Sequence, residues 1–175
     1  MTLTGTVFRA HSPRWSFAPL SGDGAARRSG RFSRRGVPAL YVSTTVEGAW
    51  REAQQGLAFK MQPMTICAYD VACDGVPDLS DAAGCRARHI EPADLSCPWE
   101  DLMIRRIMPP SWTLADRLRA DGIAAIIVPS YAPGALPDDR NVVFWRWSDT
   151  LPHRVVVIDD ERRLPRDARS RESRG

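Results

Sequence analysis

The order of the apolar stretches constrains this chain most. Strand-length and helix-period stretches are mixed along it, without the strict alternation that a doubly wound parallel sheet requires. Residues 4–10 (TGTVFRA), 39–42 (ALYV), 64–71 (MTICAYDV), 123–128 (IAAIIV), 141–147 (NVVFWRW) and 154–158 (RVVVI) read as strands. Short helical pieces are expected near 81–88 and 99–108, and a longer helix over 113–120 that stops at Gly122. Residues 11–30 carry Pro13, Pro19, Gly22, Gly24 and Gly30 and read as a long irregular loop, the kind that is functional or mobile in a compact domain. The class this order supports is α+β.

One helix is informative in detail. Ser43-Thr44-Thr45 opens it, and Thr44 with Glu47 has capping-box spacing. Val46, Ala49, Trp50 and Ala53 supply the apolar face, and Gly56 suits the C-terminal cap. At about 100° per residue, Glu47, Arg51, Gln54 and Gln55 fall on the wet side, where Glu47 and Arg51 can pair. Glu52 instead lies at the edge of the apolar stripe, beside Gly48 and Ala49. A carboxylate next to such small neighbours has room for a ligand in front of it, although most helix glutamates are simply solvated.

Length and composition narrow the rest. A chain of 175 residues makes one domain with a good core, or a domain plus a tail. Hydrophobic residues at 43% and charged residues at 26% suit a globular protein, and no apolar run reaches the roughly 18–20 residues that span a bilayer. The N-terminus lacks a basic region followed by an apolar one, so no signal peptide is expected and the cytoplasm is the expected location. Cys67, Cys73, Cys85 and Cys97 form no C-x-x-C pair, and His11, His89 and His153 are scattered, so reduced thiols are expected and no metal site.

Charge is lopsided. All basic residues but Lys60 are arginines. From Glu161 onward six arginines face three acids, a net +3, which is the charge of the whole chain. Residues 161–175 read as a basic tail too poor in apolar residues to order itself, and 1–160 as the folded domain. A basic tail on a neutral body is weak support for nucleic-acid binding, because no aromatic–basic interleaving or recognition helix accompanies it.

Two other side chains and one serine attract interest. Arg31 stands between Gly30 and Gly36 in a loop rich in arginine. The glycines let the backbone approach a ligand, and a guanidinium fork suits a diphosphate or carboxylate, but a solvated loop fits as well. Tyr41 ends a short strand, where a core tyrosine with its hydroxyl toward water is the ordinary reading. Ser130 follows a buried strand, a common place for ligand contacts. No G-x-S-x-G elbow surrounds it, no P-loop is present, and the stretch from Gly22 to Arg27 fails the dinucleotide fingerprint at its last position.

Taken together, FRA at 8–10, SGDGAAR at 21–27, GRF at 30–32, Gly36, LY at 40–41, the helix with Glu52, VPS at 128–130 and Asn141 resemble the RES-domain toxins of bacterial toxin–antitoxin systems. The resemblance covers roughly residues 5–158. WSFAPLSGDGAA and AWREAQQG are most similar to the ParT branch, which partners the antitoxin ParS. The loop departs from the family's usual wording at Ser29 and Ser33.

The resemblance implies an ADP-ribosyltransferase-like fold, with a mixed, mainly antiparallel split sheet flanked by helices. It implies NAD as substrate and no metal. Carried over by position, Glu52, Arg31 and Tyr41 become the catalytic set, and Arg31, Tyr41, Ser130 and Asn141 the NAD-binding set. Glu52 would stabilise an oxocarbenium-like state, Tyr41 would stack on nicotinamide, Arg31 would hold phosphates and Ser130 would orient. The partner it implies is an antitoxin with a helix-turn-helix DNA-binding part, in a hetero-oligomer. Three functions follow as expectations: ADP-ribose transfer to a protein, with phosphoribosyl pyrophosphate synthetase as the target the branch implies; NAD hydrolysis or phosphorolysis; and, from a different class, a non-catalytic nucleic-acid-binding module.

Overall fold

A computed structural model describes residues 1–54 and 62–171. Six strands form one sheet: β1 (Leu3–His11), β2 (Leu40–Ser43), β3 (Thr65–Cys73), β4 (Ala125–Pro129), β5 (Arg140–Phe144) and β6 (His153–Val157), in the order β4-β5-β2-β1-β3-β6. Every neighbouring pair is antiparallel. The sheet is therefore not mixed, contrary to one expectation. Parallel neighbours need a crossover that returns the chain in the same direction, and among the described residues that relation occurs only at the isolated bridges Asp78–Ile127 and Ser148–Arg154.

The ladders are unequal. β1 pairs with β3 along its whole length, from Leu3–Cys73 to His11–Thr65. β2 pairs with β5 throughout, from Leu40–Phe144 to Ser43–Asn141. Between these two halves, β1 and β2 meet at the single register pair Phe8–Ser43. Beyond it the strands part, and a seam opens in the middle of the sheet.

Both faces of the sheet are covered, which is why β4 and β5 read as continuous apolar runs. Successive side chains alternate between faces. Val7, Leu40, Val42, Cys67, Tyr69, Val71, Val142 and Phe144 build one core. Tyr41, Ile126, Val128 and Val143 face the other way, into a core completed by Phe32, Leu79 and Leu95 and by Leu114 and Leu118. Four helices follow β3: α3 (Ala82–Arg86), α4 (Pro92–Ser96), α5 (Trp99–Ile104) and α6 (Pro110–Ala120); Cys85, Leu95, Leu114, Ala115 and Leu118 of α3, α4 and α6 pack on that second face. Pro92 and Pro110 each stand at a helix start, where a missing N–H costs nothing.

Among the described residues two α-helices come earlier, α1 (Asp23–Arg28) and α2 (Val46–Ala53). The 11–30 stretch is thus more ordered than its prolines and glycines suggest. It holds a 3-10 turn at Pro13–Trp15 and then α1, whose Ala25, Ala26, Arg27 and Arg28 are good helix formers. Arg9 Nη1 donates to the Pro19 and Ser21 carbonyls, and the Tyr69 hydroxyl to Pro19, so the loop is tied to the sheet.

In α2 the cap is Thr45, not Thr44. Its Oγ1 accepts from Gly48 N at 3.0 Å, while Thr44 N bonds the Arg140 carbonyl and continues the sheet edge. The buried face is Gly48 and Ala49, and Val46 is 40% exposed. Arg51 pairs with Asp139 rather than with Glu47. Gly56, expected as the C-terminal cap, lies outside the described residues. α2 packs against β1, β2 and β3, and so lies across the seam.

After β6, the Asp159 carboxylate accepts from the Arg163 and Leu164 amides, and Leu164 packs against the first core. All four cysteines are buried and unpaired. Among the described residues no helix is long and apolar enough to cross a membrane, and no group of three His, Cys, Asp or Glu could hold a metal ion.

Candidate active site

The seam is the mouth of a cleft of about 890 Å³, a size usual for small-molecule sites. Because it opens between parted strands, it takes side chains from both faces of the sheet. Tyr41, Ser43, Asn141 and Val143 line it from one, Arg9, His11 and Val42 from the other. α2 contributes Ala49, Glu52 and Ala53, and the 12–32 stretch contributes Arg14, Trp15, Phe17, Arg27 and Arg31.

Glu52 is anchored in the cleft wall by two side-chain donors. Its Oε1 accepts from Ser130 Oγ at 2.6 Å and from Asn141 Nδ2 at 2.5 Å. Such bonds to a carboxylate are among the stronger kind. The Asn141 amide is itself oriented, because Ser43 Oγ donates to its Oδ1 at 2.6 Å and leaves Nδ2 for the glutamate. Ser43 is buried, at 2% exposure.

The backbone explains this convergence. Ser43 ends β2 and is the register partner of Asn141 at the start of β5, which also pairs with Val128 of β4. Ser130 comes just after β4. Three strands therefore deliver three short polar side chains to one end of the sheet, under α2.

A second tie fixes the same end. Asp139, 6% exposed, accepts through Oδ2 from Arg51 Nη1 at 2.8 Å and from Leu136 N at 2.8 Å. Its carbonyl accepts from Ser130 N at 2.9 Å. The residue before Glu52 and the serine that holds Glu52 are thus clamped to one aspartate.

Tyr41 has a different setting from the one its sequence position suggests. Its hydroxyl does not reach water. It accepts from Phe32 N at 3.0 Å and shares a 2.9 Å bond with Ser33 Oγ. Burial pushes its ionisation up to about 12, against the pull of those two bonds and of Arg31. Gly30 lines the cleft and also leaves room for Tyr41: a Cβ there would lie 2.6 Å from the Tyr41 hydroxyl oxygen.

Arg31 lines the cleft with its guanidinium carbon 4.3 Å from the Tyr131 ring centroid. Nη1 donates to the Cys97 carbonyl at 2.6 Å and to Leu95 at 3.2 Å. Nε and Nη2 have no hydrogen bond among the described residues. The loop carrying Arg31 is pinned on both sides, by Trp112 Nε1 on the Gly30 carbonyl and Trp145 Nε1 on the Phe32 carbonyl.

All five residues singled out in the sequence therefore belong to one neighbourhood. Arg31, Tyr41, Glu52 and Asn141 line the cleft, and Ser130 stands behind Glu52 as its hydrogen-bond donor. Sequence reading missed Ser43, Tyr131 and the Arg51–Asp139 pair. It also missed His11, which lines the cleft from β1. Burial and the neighbouring Arg9 charge hold the His11 imidazole down to about 4.

The RES domain family profile matches residues 6–167. No protein of curated function matches the sequence. Among solved structures, the M. tuberculosis MbcT–MbcA toxin–antitoxin complex contains a chain of similar fold. The TM-score is 0.63 at 18% identity, and the match covers 91% of this chain and 84% of that one. At that identity the likeness concerns the fold.

Proposed function

The chain belongs to the RES domain family, and on that premise we propose that it is the toxin of a toxin–antitoxin pair that consumes NAD as its substrate. The observation that carries this reading is the Glu52 carboxylate, held by Ser130 and Asn141 at the wall of a cleft that also presents Arg31 and Tyr41.

The chemistry asks for such a site. In NAD the nicotinamide nitrogen is already cationic. When the bond to ribose C1′ breaks, the electron pair stays on that nitrogen and nicotinamide leaves neutral, with no proton needed. Positive charge passes to the ribose, which becomes oxocarbenium-like, as in glycoside cleavage. A fixed carboxylate beside the ribose lowers the energy of that state without having to reorganise. In this reading Glu52 is that carboxylate, and Ser130, Asn141 and Ser43 keep it in one orientation. Arg31, with donors left after its carbonyl bonds, holds the pyrophosphate. Tyr41 braces the Arg31 loop and lines the cleft.

The acceptor then adds to C1′ and loses its proton. We assign ADP-ribose transfer to a cellular protein as the reaction, with phosphoribosyl pyrophosphate synthetase as the first target to try. Water or phosphate as acceptor uses the same residues. The fold is that of an ADP-ribosyltransferase in this reading, the seam between sheet halves being its NAD cleft. An antitoxin with a helix-turn-helix part is the partner, as the similar chain was crystallised with an antitoxin, and the cytoplasm is the compartment.

The test uses purified protein, adenine-labelled NAD and a bacterial lysate, with Glu52→Ala as control. Label on a discrete protein band, lost in the variant, is the expected result. NAD loss with label only in small molecules assigns hydrolysis or phosphorolysis instead, separated by adding phosphate. An unchanged NAD pool, or full toxicity of Glu52→Ala in cells, overturns the reading.

A further inference from the structure

Tyr131 lines the cleft and takes no part in the reaction above. It comes just after β4, next to Ser130. The Arg31 guanidinium carbon lies over its ring, 4.3 Å from the centroid, well inside the roughly 6 Å at which a cation is drawn to an aromatic face. Burial pushes the Tyr131 phenol up to about 12, against the pull of Arg31. The ring is therefore uncharged at neutral pH, and the contact is not an ion pair.

The rest of the Arg31 environment shows what this contact contributes. Nη1 donates to the carbonyls of Leu95, in α4, and Cys97, just beyond it. Both bonds sit at one corner of the fork, and neither touches the edge formed by Nε and Nη2. No carboxylate pairs with Arg31 among the described residues. A carboxylate would steady the fork, but it would also cancel the charge that an anionic ligand needs. An aromatic ring steadies the face of the guanidinium and leaves its charge in place. The residue before Tyr131 serves the other charged group, because Ser130 Oγ donates to Glu52 at 2.6 Å. Consecutive residues of one loop thus touch the carboxylate assigned above to the ribose and the guanidinium assigned to the pyrophosphate.

Resting on the NAD reading, we propose that Tyr131 is a positioning residue, whose ring holds the Arg31 guanidinium in place for the diphosphate of the dinucleotide. The diphosphate is unaltered when the bond to nicotinamide breaks. Its grip is the same in the ground and transition states, and loosening it raises KM without lowering kcat. Tyr131 also packs against the second core. A ring there for packing alone would act whether or not residue 31 is an arginine.

The experiment uses full-length protein and follows nicotinamide release from NAD. Calorimetric titration with ADP-ribose gives a readout that needs no turnover. Tyr131→Leu and Tyr131→Met both remove the ring, and either serves if the other fails to fold. In them KM for NAD rises and ADP-ribose binding weakens, each by about tenfold, while kcat stays within about twofold. Tyr131→Phe keeps the ring and matches wild type in each measurement. In an Arg31→Met background there is no guanidinium to hold, and Tyr131→Leu weakens ADP-ribose no further.

Ringless variants with wild-type KM and ADP-ribose affinity overturn the proposal. So does a Tyr131→Phe protein as weak as Tyr131→Leu, a loss confined to kcat, or an equal loss in the Arg31→Met background, which marks a packing role. In each of these cases the wild-type protein still consumes NAD and the premise stands. A wild-type protein that neither releases nicotinamide nor binds ADP-ribose removes the premise, and the proposal with it.

Discussion

Gly30→Ala is the sharpest test of how the Arg31 loop is built. The backbone of Gly30 needs no positive φ, so the substitution is not strained in itself. What it meets is Tyr41: the new Cβ would lie 2.6 Å from the hydroxyl oxygen and 2.9 Å from Cζ. Reaching ordinary contact near 3.5 Å from that oxygen needs a shift of about 0.9 Å. Gly30 cannot easily retreat, because its carbonyl is held by Trp112 and its amide and carbonyl both bond Ser33. Tyr41 must therefore move and weaken its bonds to Phe32 N and Ser33. Overpacking costs about 1–3 kcal/mol, and a buried amide left without its acceptor about as much.

An overall loss of about 2–4 kcal/mol is expected, a fall in melting temperature of roughly 4–16 °C for a chain of this size. The assay is urea unfolding of wild type, Gly30→Ala, Tyr41→Phe and the double variant. Tyr41→Phe alone removes the hydroxyl and costs about 1–3 kcal/mol. In the double variant the clash with oxygen is gone and only the one with Cζ remains, so the two losses sum to less than additive by about 1 kcal/mol. A Gly30→Ala protein within 0.5 kcal/mol of wild type, or a strictly additive cycle, refutes the packing argument.

Two further outcomes come from the same wall of the cleft. Asp139→Ala leaves Arg51 and the Leu136 amide without an acceptor and is expected to destabilise by about 2–4 kcal/mol, toward the low end because Arg51 keeps some access to water; a two-state urea titration with no shift in midpoint contradicts it. For His11, the folded imidazole titrates near 4 and the unfolded one near 6.5. Between those values the unfolded chain binds the extra proton, so stability falls as pH drops from 6.5 to 4, by at most about 3 kcal/mol, and does not change on this account above 6.5. His11→Phe should remove that part of the acid slope, and an identical slope in wild type and variant would show that His11 protonates freely in the fold.

Much of the scaffold was readable because it rests on local pattern. IAAIIV, with Ala125 to Val128 buried, is satisfied as a strand covered on both faces, and the helix before Gly122 is bounded by residues that stop it. The cap of α2 was misread by one residue because the choice between Thr44 and Thr45 is made elsewhere: the Thr44 amide is claimed by the Arg140 carbonyl. The packing demand on Gly30 was hidden for the same kind of reason, since the group that needs the space, the Tyr41 hydroxyl, arrives from another strand. Glu52 could be placed at the edge of an apolar stripe. Its donors could not, because Ser130 and Asn141 lie 78 and 89 residues away along the chain. Those distances are closed by the β4–β5–β2 register, which no local signal encodes.

That register also has a mechanical side. A sheet carries load through its ladders, and here two well-laddered plates are riveted at Phe8–Ser43. Torque that turns one plate against the other concentrates at the rivet, whose serine is also the first link in the Ser43–Asn141–Glu52 relay. The relay that holds the carboxylate thus begins at the one register pair through which β1 and β2 meet.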